Sequence, residues 1–133
     1  MSDGGCHCGA VRYAVEGAPA FSALCHCADC RRCSGAPVTA WGMFPTEAFS
    51  WTKGEPKLYA SSEHSRRWFC GECGTGLAYV NEAMMPGVVD IQVSTLDDPG
   101  AVPPLLQMQM ADAINWMATA HTLPAHNRFP PQP

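Results

Sequence analysis

The sequence predicts a mainly β fold, and three observations carry that expectation. Apolar side chains recur at period two in short runs, as on half-buried strands, and nowhere form the apolar stripe of a helix of ordinary length. Glycine and proline, 12 of each, interrupt those runs and set turns between them. The eight cysteines fall into three tight groups at the ends of the runs, where a chain that turns round a metal ion would place its ligands.

The elements follow in chain order. Cys6-His7-Cys8 opens the first run, and Val11, Tyr13 and Val15 then alternate with Arg12 and Ala14, which predicts a half-buried strand leaving a ligand pair. Gly17-Ala18-Pro19 ends it, and residues 21–24 lead as a second strand into Cys25-His26-Cys27-Ala28-Asp29-Cys30-Arg31-Arg32-Cys33-Ser34-Gly35. On an extended chain side chains i and i+2 share a face, so Cys25 and Cys27 converge while His26 points away. Cys30 joins them across a turn or a short helix start, giving a three-thiol claw. Cys33 is either a fourth ligand or a free thiol beside the claw.

Residues 38–44 are apolar and β-prone, and Pro45 stops them. Residues 49–52 and 57–60 read as short strands on either side of the Lys53-Gly54-Glu55-Pro56 turn. A hairpin over residues 66–80 carries Cys70-Gly71-Glu72-Cys73-Gly74 at its tip, where glycine lets backbone amides fold round two sulfurs. Residues 88–93 alternate well enough for a further strand, Asp97-Asp98-Pro99-Gly100 turns the chain, and residues 105–110 form the last strand. Residues 111–120 have weak helical character at best, and four of the last ten residues are proline, as in a loose or surface-hugging tail.

A length of 133 residues suits one domain over residues 1–133, with a core over about 4–124 and a proline-rich tail over 125–133. Only 15% of residues are charged and the net charge is −4, which argues against nucleic acid as a partner. The pairs Arg31-Arg32 and Arg66-Arg67 each lie beside cysteines, and a small anionic ligand is their more economical partner. The first residues lack a basic and apolar leader, and no apolar run approaches the roughly 18 residues of a membrane span, so a cytoplasmic protein with no membrane partner is expected. In a reducing compartment eight closely spaced cysteines point to metal rather than disulfides.

The claw can hold an ion alone, which leaves Cys6, Cys8, Cys70 and Cys73 as two chelating pairs that need each other. All-sulfur coordination favours zinc, up to two ions per chain, with iron as the alternative. Three thiolates round zinc(II) leave a centre of net negative charge, a weak Lewis acid that generates hydroxide poorly. Such a centre instead keeps a substrate thiol ionised and nucleophilic, so the reaction inferred joins a thiol to a small electrophilic carbon.

Three stretches now carry a resemblance: residues 5–13, Cys25-His26-Cys27-Ala28-Asp29-Cys30-Arg31-Arg32 with Ser34-Gly35-Ala36, and Phe69-Cys70-Gly71-Glu72-Cys73-Gly74-Thr75-Gly76-Leu77. In this order and spacing they resemble the glutathione-dependent formaldehyde-activating family, whose domain centromere protein V also carries. The likeness runs over residues 4–130, with weaker echoes at Thr95-Leu96-Asp97-Asp98-Pro99 and near Trp116. It implies a Mss4-like fold of small antiparallel sheets stapled by zinc. It further implies a structural zinc on Cys6, Cys8, Cys70 and Cys73, and a catalytic zinc on Cys25, Cys27 and Cys30. The implied activity is that of a carbon–sulfur lyase, with glutathione and formaldehyde giving an S-hydroxymethyl adduct. Cys33 stands where the family does not require cysteine.

Plainer roles compete at several positions. His7 and His26 sit between ligand cysteines and are expected to face outward or pack, and His64, His121 and His126 to lie at the surface. Arg31 and Arg32 could clamp substrate carboxylates or simply offset the charge of a metal site. Trp41, Trp51, Trp68 and Trp116 are expected in the core, Trp41 being the one most suited to line a substrate pocket. Met84-Met85 and the Met108/Met110 pair read as packing. The competing function classes are a zinc-stabilised binding module without chemistry, favoured if Cys33 closes the claw, and a redox enzyme on the same fold. Oligomeric state is not encoded in any of these features.

Overall fold

The computed structural model describes residues 1–132; Pro133, the end of the expected tail, lies outside the described residues. Among them ten strands form two sheets, so the mainly β expectation holds. The smaller sheet has the order β1 (Ser2–Gly5), β2 (Arg12–Val15) and β5 (Phe49–Lys53), all antiparallel. The larger contains β3 (Phe21–Cys25), β4 (Thr39–Pro45), β6 (Lys57–Ala60), β7 (Arg66–Phe69), β8 (Gly76–Val80), β9 (Val88–Gln92) and β10 (Leu106–Met108), in the order β10-β3-β4-β9-β8-β7-β6.

The core forms where the two sheets meet. Tyr13 and Val15 of β2 join Phe44 of β4, Leu77 of β8 and Ile91 of β9, each at most 1% exposed. Full burial of a side chain of this size contributes roughly 1.5–3 kcal/mol. Tyr13 stacks on Phe49 at 5.6 Å and meets Trp51 edge-on at 6.2 Å, while its hydroxyl bonds with Thr95 Oγ1 at 2.8 Å. That packing explains Gly4: a Cβ there would approach the Tyr13 hydroxyl to 2.5 Å. Arg12 and Asp97 form a two-pronged ion pair beside this contact, and the Asp97 amide donates to the Asp3 carbonyl at 2.9 Å.

One strand carries no sequence signal: Ser2–Gly5 lacks apolar alternation, yet its backbone pairs with all of β2. Three expectations need correction. The last strand is shorter than residues 105–110 and runs parallel to β3, so the larger sheet is mixed rather than purely antiparallel. Hydrogen bonds from Leu105 N to Ser22 O and from His26 N to Met108 O fix that parallel register. The weakly helical region contains a 3₁₀ helix over Asn115–Thr122, and Trp116 on it is 53% exposed rather than in the core. Met84 and Met110 are likewise exposed, at 69% and 52%, so they are not core packing.

Between β3 and β4 lies α1 (Ala28–Ser34), the one α-helix among the described residues. Cys27 is its N-cap: extended at φ −62°, ψ 151°, it accepts from the Cys30 amide through Sγ at 3.3 Å. Asp29 in the first turn and Arg31 and Arg32 in the last complement the helix dipole. Gly35 stops the helix in the left-handed region at φ 67°, its N–H donating to the Arg31 carbonyl at 2.9 Å. Residues 125–132 are exposed and outside regular structure. No described helix is long and apolar enough to cross a membrane.

Candidate metal centres

Two cysteine clusters form, each with its sulfurs within 4.8 Å of one another. The first unites Cys6 and Cys8, from the β1–β2 turn of the small sheet, with Cys70 and Cys73, from the β7–β8 turn of the large one. Cys6 and Cys8 sulfurs are 3.7 Å apart, and those of Cys8 and Cys70 3.8 Å. A tetrahedron with ~2.3 Å metal–sulfur bonds has edges of about 3.8 Å, and a disulfide is far shorter, so this donor set fits zinc.

Backbone amides aim at the same sulfurs. Val11 N donates to Cys6 Sγ at 3.2 Å, and Glu72 N and Cys73 N donate to Cys70 Sγ at 3.3 and 3.5 Å. Such donors favour the ionised sulfur that a metal requires. The Thr75 hydroxyl lies 3.2 Å from Cys73 Sγ and accepts from the His7 amide, linking the two turns. That hydroxyl, then the Thr75 amide, hold the Cys73 thiol down at about 5. At Cys8 a backbone bond to Ala10 pulls the same way, but burial and the neighbouring sulfurs outweigh it and push the thiol up to about 11. Four thiols this close cannot all ionise without a cation among them.

The second cluster is Cys25, at the end of β3, with Cys27 and Cys30 across the start of α1. Burial raises Cys25 to about 12, and burial followed by the Cys27 sulfur raises Cys30. Arg67 on β7 counters this, with Nη2 3.9 Å from Cys30 Sγ and its guanidinium 4.8 Å above the Tyr79 ring. Cys33 is exposed and stands outside the cluster. His26 packs: it is 1% exposed, and its Nε2 bonds with Gln107 Oε1 at 2.9 Å, tying the claw to β10.

Cys25, Cys27 and Cys30 all border a cavity of about 450 Å³, whose wall includes Trp41, Tyr79, Arg67 and Asp90. Asp90 is buried on β9, and burial pushes its carboxyl up to about 6. Trp41 and Arg67 also border a neighbouring groove of about 540 Å³ that includes Arg32, Cys33, Tyr59 and Trp68. Arg31 and Arg32 border a third groove with Trp116, away from the claw's cavity, and Arg31 Nε is buried without a hydrogen-bond partner. Of the three expected substrate residues, Trp41 therefore reaches the claw's cavity and the two arginines flank it from outside.

Sequence reasoning singled out the Arg66-Arg67 pair without giving Arg67 a place at the site, and it missed Asp90 and Tyr79. Their signal is weak because each comes from a different strand, and the register Tyr79↔Asp90 between β8 and β9 brings them together only in the folded sheet.

Comparison with known proteins agrees with this architecture. The chain is 37% identical over 82 residues to an uncharacterized lyase of Schizosaccharomyces pombe, a match covering 59% of this chain and 58% of that protein. It therefore spans well under two thirds of that relative's length. A crystal structure of a Rhodobacter sphaeroides protein shares the fold, with a TM-score of 0.65 at 24% identity over 80% of this chain and 99% of that one. Residues 1–112 match the family described as glutathione-dependent formaldehyde-activating enzyme, and the chain belongs to that family.

Proposed function

We propose that this protein is a carbon–sulfur lyase-type enzyme that joins a thiol such as glutathione to a small aldehyde such as formaldehyde. The observation that carries this reading is the claw itself: three cysteines with clustered sulfurs line one cavity, with Cys33 outside the cluster. Three protein ligands leave a coordination position for substrate, whereas four would close it. In this reading Cys25, Cys27 and Cys30 hold the catalytic zinc, and Cys6, Cys8, Cys70 and Cys73 hold a structural one. Zinc at the claw supplies the charge that keeps a thiol ionised near neutral pH.

The protein's own groups do the rest. Arg67, beside Cys30, adds a fixed cation at the reacting end of the cavity. Arg31 and Arg32 face grooves outside it and suit the carboxylates of an anionic thiol. In the addition, sulfur bonds to the carbonyl carbon, the π pair moves to oxygen, and the proton lost by the thiol ends on that oxygen. No oxidant or reductant takes part.

Product formation from glutathione and ¹³C-formaldehyde, followed by NMR above the uncatalysed rate, tests the proposal. Cys27→Ala is expected to lose that activity and one metal ion per chain, and Cys33→Ala to keep both. Release of a metal ion by Cys33→Ala would mean a closed site and favour a binding module.

A further inference from the structure

We propose that the cavity over Cys25, Cys27 and Cys30 takes an aldehyde with an apolar carbon chain in preference to formaldehyde, an inference that rests on the thiol–aldehyde reading above. Its size is the first ground. About 450 Å³ falls in the range of pockets that enclose far larger ligands. Formaldehyde has two heavy atoms and approaches the scale of one water, whose share of the liquid is ~30 Å³. It would leave most of this space to solvent.

The lining is the second ground. Phe21, Trp41, Met43, Met84, Met85 and Met108 converge on the cavity from β3, β4, the turn after β8, and β10. Met84 is 69% exposed, so the core does not demand an apolar residue there; it stands at the cavity mouth. Unbranched methionine side chains adapt to a flexible alkyl chain. Two methionine pairs that read as packing in the sequence thus supply three of these six large apolar side chains.

Charge divides the two substrates between compartments. The 540 Å³ groove beyond Trp41 carries Arg32 and Arg67 and has no acidic residue in its lining. The claw's cavity shares Arg67 with that groove but sets three thiols, Asp29 and the buried Asp90 against this one cation, a setting less favourable to carboxylates than the groove. An anionic thiol such as glutathione would keep its body in the arginine-bearing groove and bring only its sulfur past Arg67 to Cys30. The apolar space is then left for the chain behind the aldehyde carbon. Sulfur still adds to that carbon, and the thiol proton still ends on the oxygen, giving a hemithioacetal.

The test uses the full chain with the metal it carries on purification, glutathione, and formaldehyde, acetaldehyde, butanal and hexanal in turn, with rates taken above background. The expected kcat/KM rises by about threefold per methylene, slightly less than the full apolar transfer effect, and so by about eightyfold over the added methylenes from acetaldehyde to hexanal. Met84→Glu, at an exposed position, is expected to flatten that slope with an unchanged circular dichroism spectrum. If formaldehyde is turned over and longer aldehydes are no better, this inference is overturned and the proposed function stands. A steep slope that survives Met84→Glu overturns the assigned wall. No turnover of any aldehyde removes the enzyme reading and this inference together.

Discussion

Asp90 shows how a single residue can be held against its solvation. Burial moves its carboxyl from an ordinary 3.8 to about 6, so between those values the folded chain holds a proton that the unfolded chain has released. Stability therefore falls as pH rises through that window, and the penalty is complete above the folded value. Asp90→Asn removes the charge and keeps the shape. It is expected to stabilise the fold by on the order of 3 kcal/mol at pH 8 and about half that at pH 5. Urea unfolding at the two pH values measures this, and an equal gain at both would contradict the desolvation account. Asp90 was invisible in the sequence because its strand reads as ordinary alternation. Cys25, Cys27 and Cys30 were legible because their convergence is local: an extended i, i+2 pair and one helical turn bring them together.

At the scale of elements, two glycines separate packing from backbone strain. Gly4 of β1 has the Tyr13 hydroxyl at 2.5 Å and the Thr95 carbonyl oxygen at 2.7 Å from where a Cβ would sit. Gly35 at the end of α1 has nothing within 4 Å but a φ of 67°. Gly4→Ala is accordingly expected to cost about 3 kcal/mol, the upper end for overpacking, and Gly35→Ala about 1 kcal/mol through strain alone. Denaturant titration of both variants checks the order; a larger loss at Gly35 would refute the packing argument. The same contrast explains which elements could be read beforehand. β2, β4, β9 and the β7–β8 hairpin declare themselves by alternation or by the Cys-x-x-Cys tip. Ser2–Gly5 has no apolar face to declare, since its backbone and its lack of side chain are what β2 uses. The parallel pairing of β10 rests on Ser22, His26 and Gln107, contacts across more than 80 positions that no local pattern announces.

For the whole molecule, the four-thiol cluster joins the small sheet to the tip of a hairpin in the large one, with Cys8 and Cys70 separated by 62 positions. Fixing two points that far apart removes roughly 3–4 kcal/mol of chain entropy from the unfolded state if loop closure follows the logarithmic rule. Domains of this size have net stabilities of only about 5–15 kcal/mol, so that contribution is a large fraction of the total. The claw closes a loop of a few residues within one stretch and contributes little by the same rule. Two metal losses should therefore have unequal consequences. A strong chelator that strips both ions, or Cys70→Ser alone, is expected to collapse the near-ultraviolet signal of the four tryptophans and lower the melting temperature steeply. Cys30→Ser is expected to release one ion and melt close to the parent protein. Metal content and thermal unfolding on the same samples decide the matter: a chain stripped of both ions that melts unchanged would show that the sheets hold each other without the cluster.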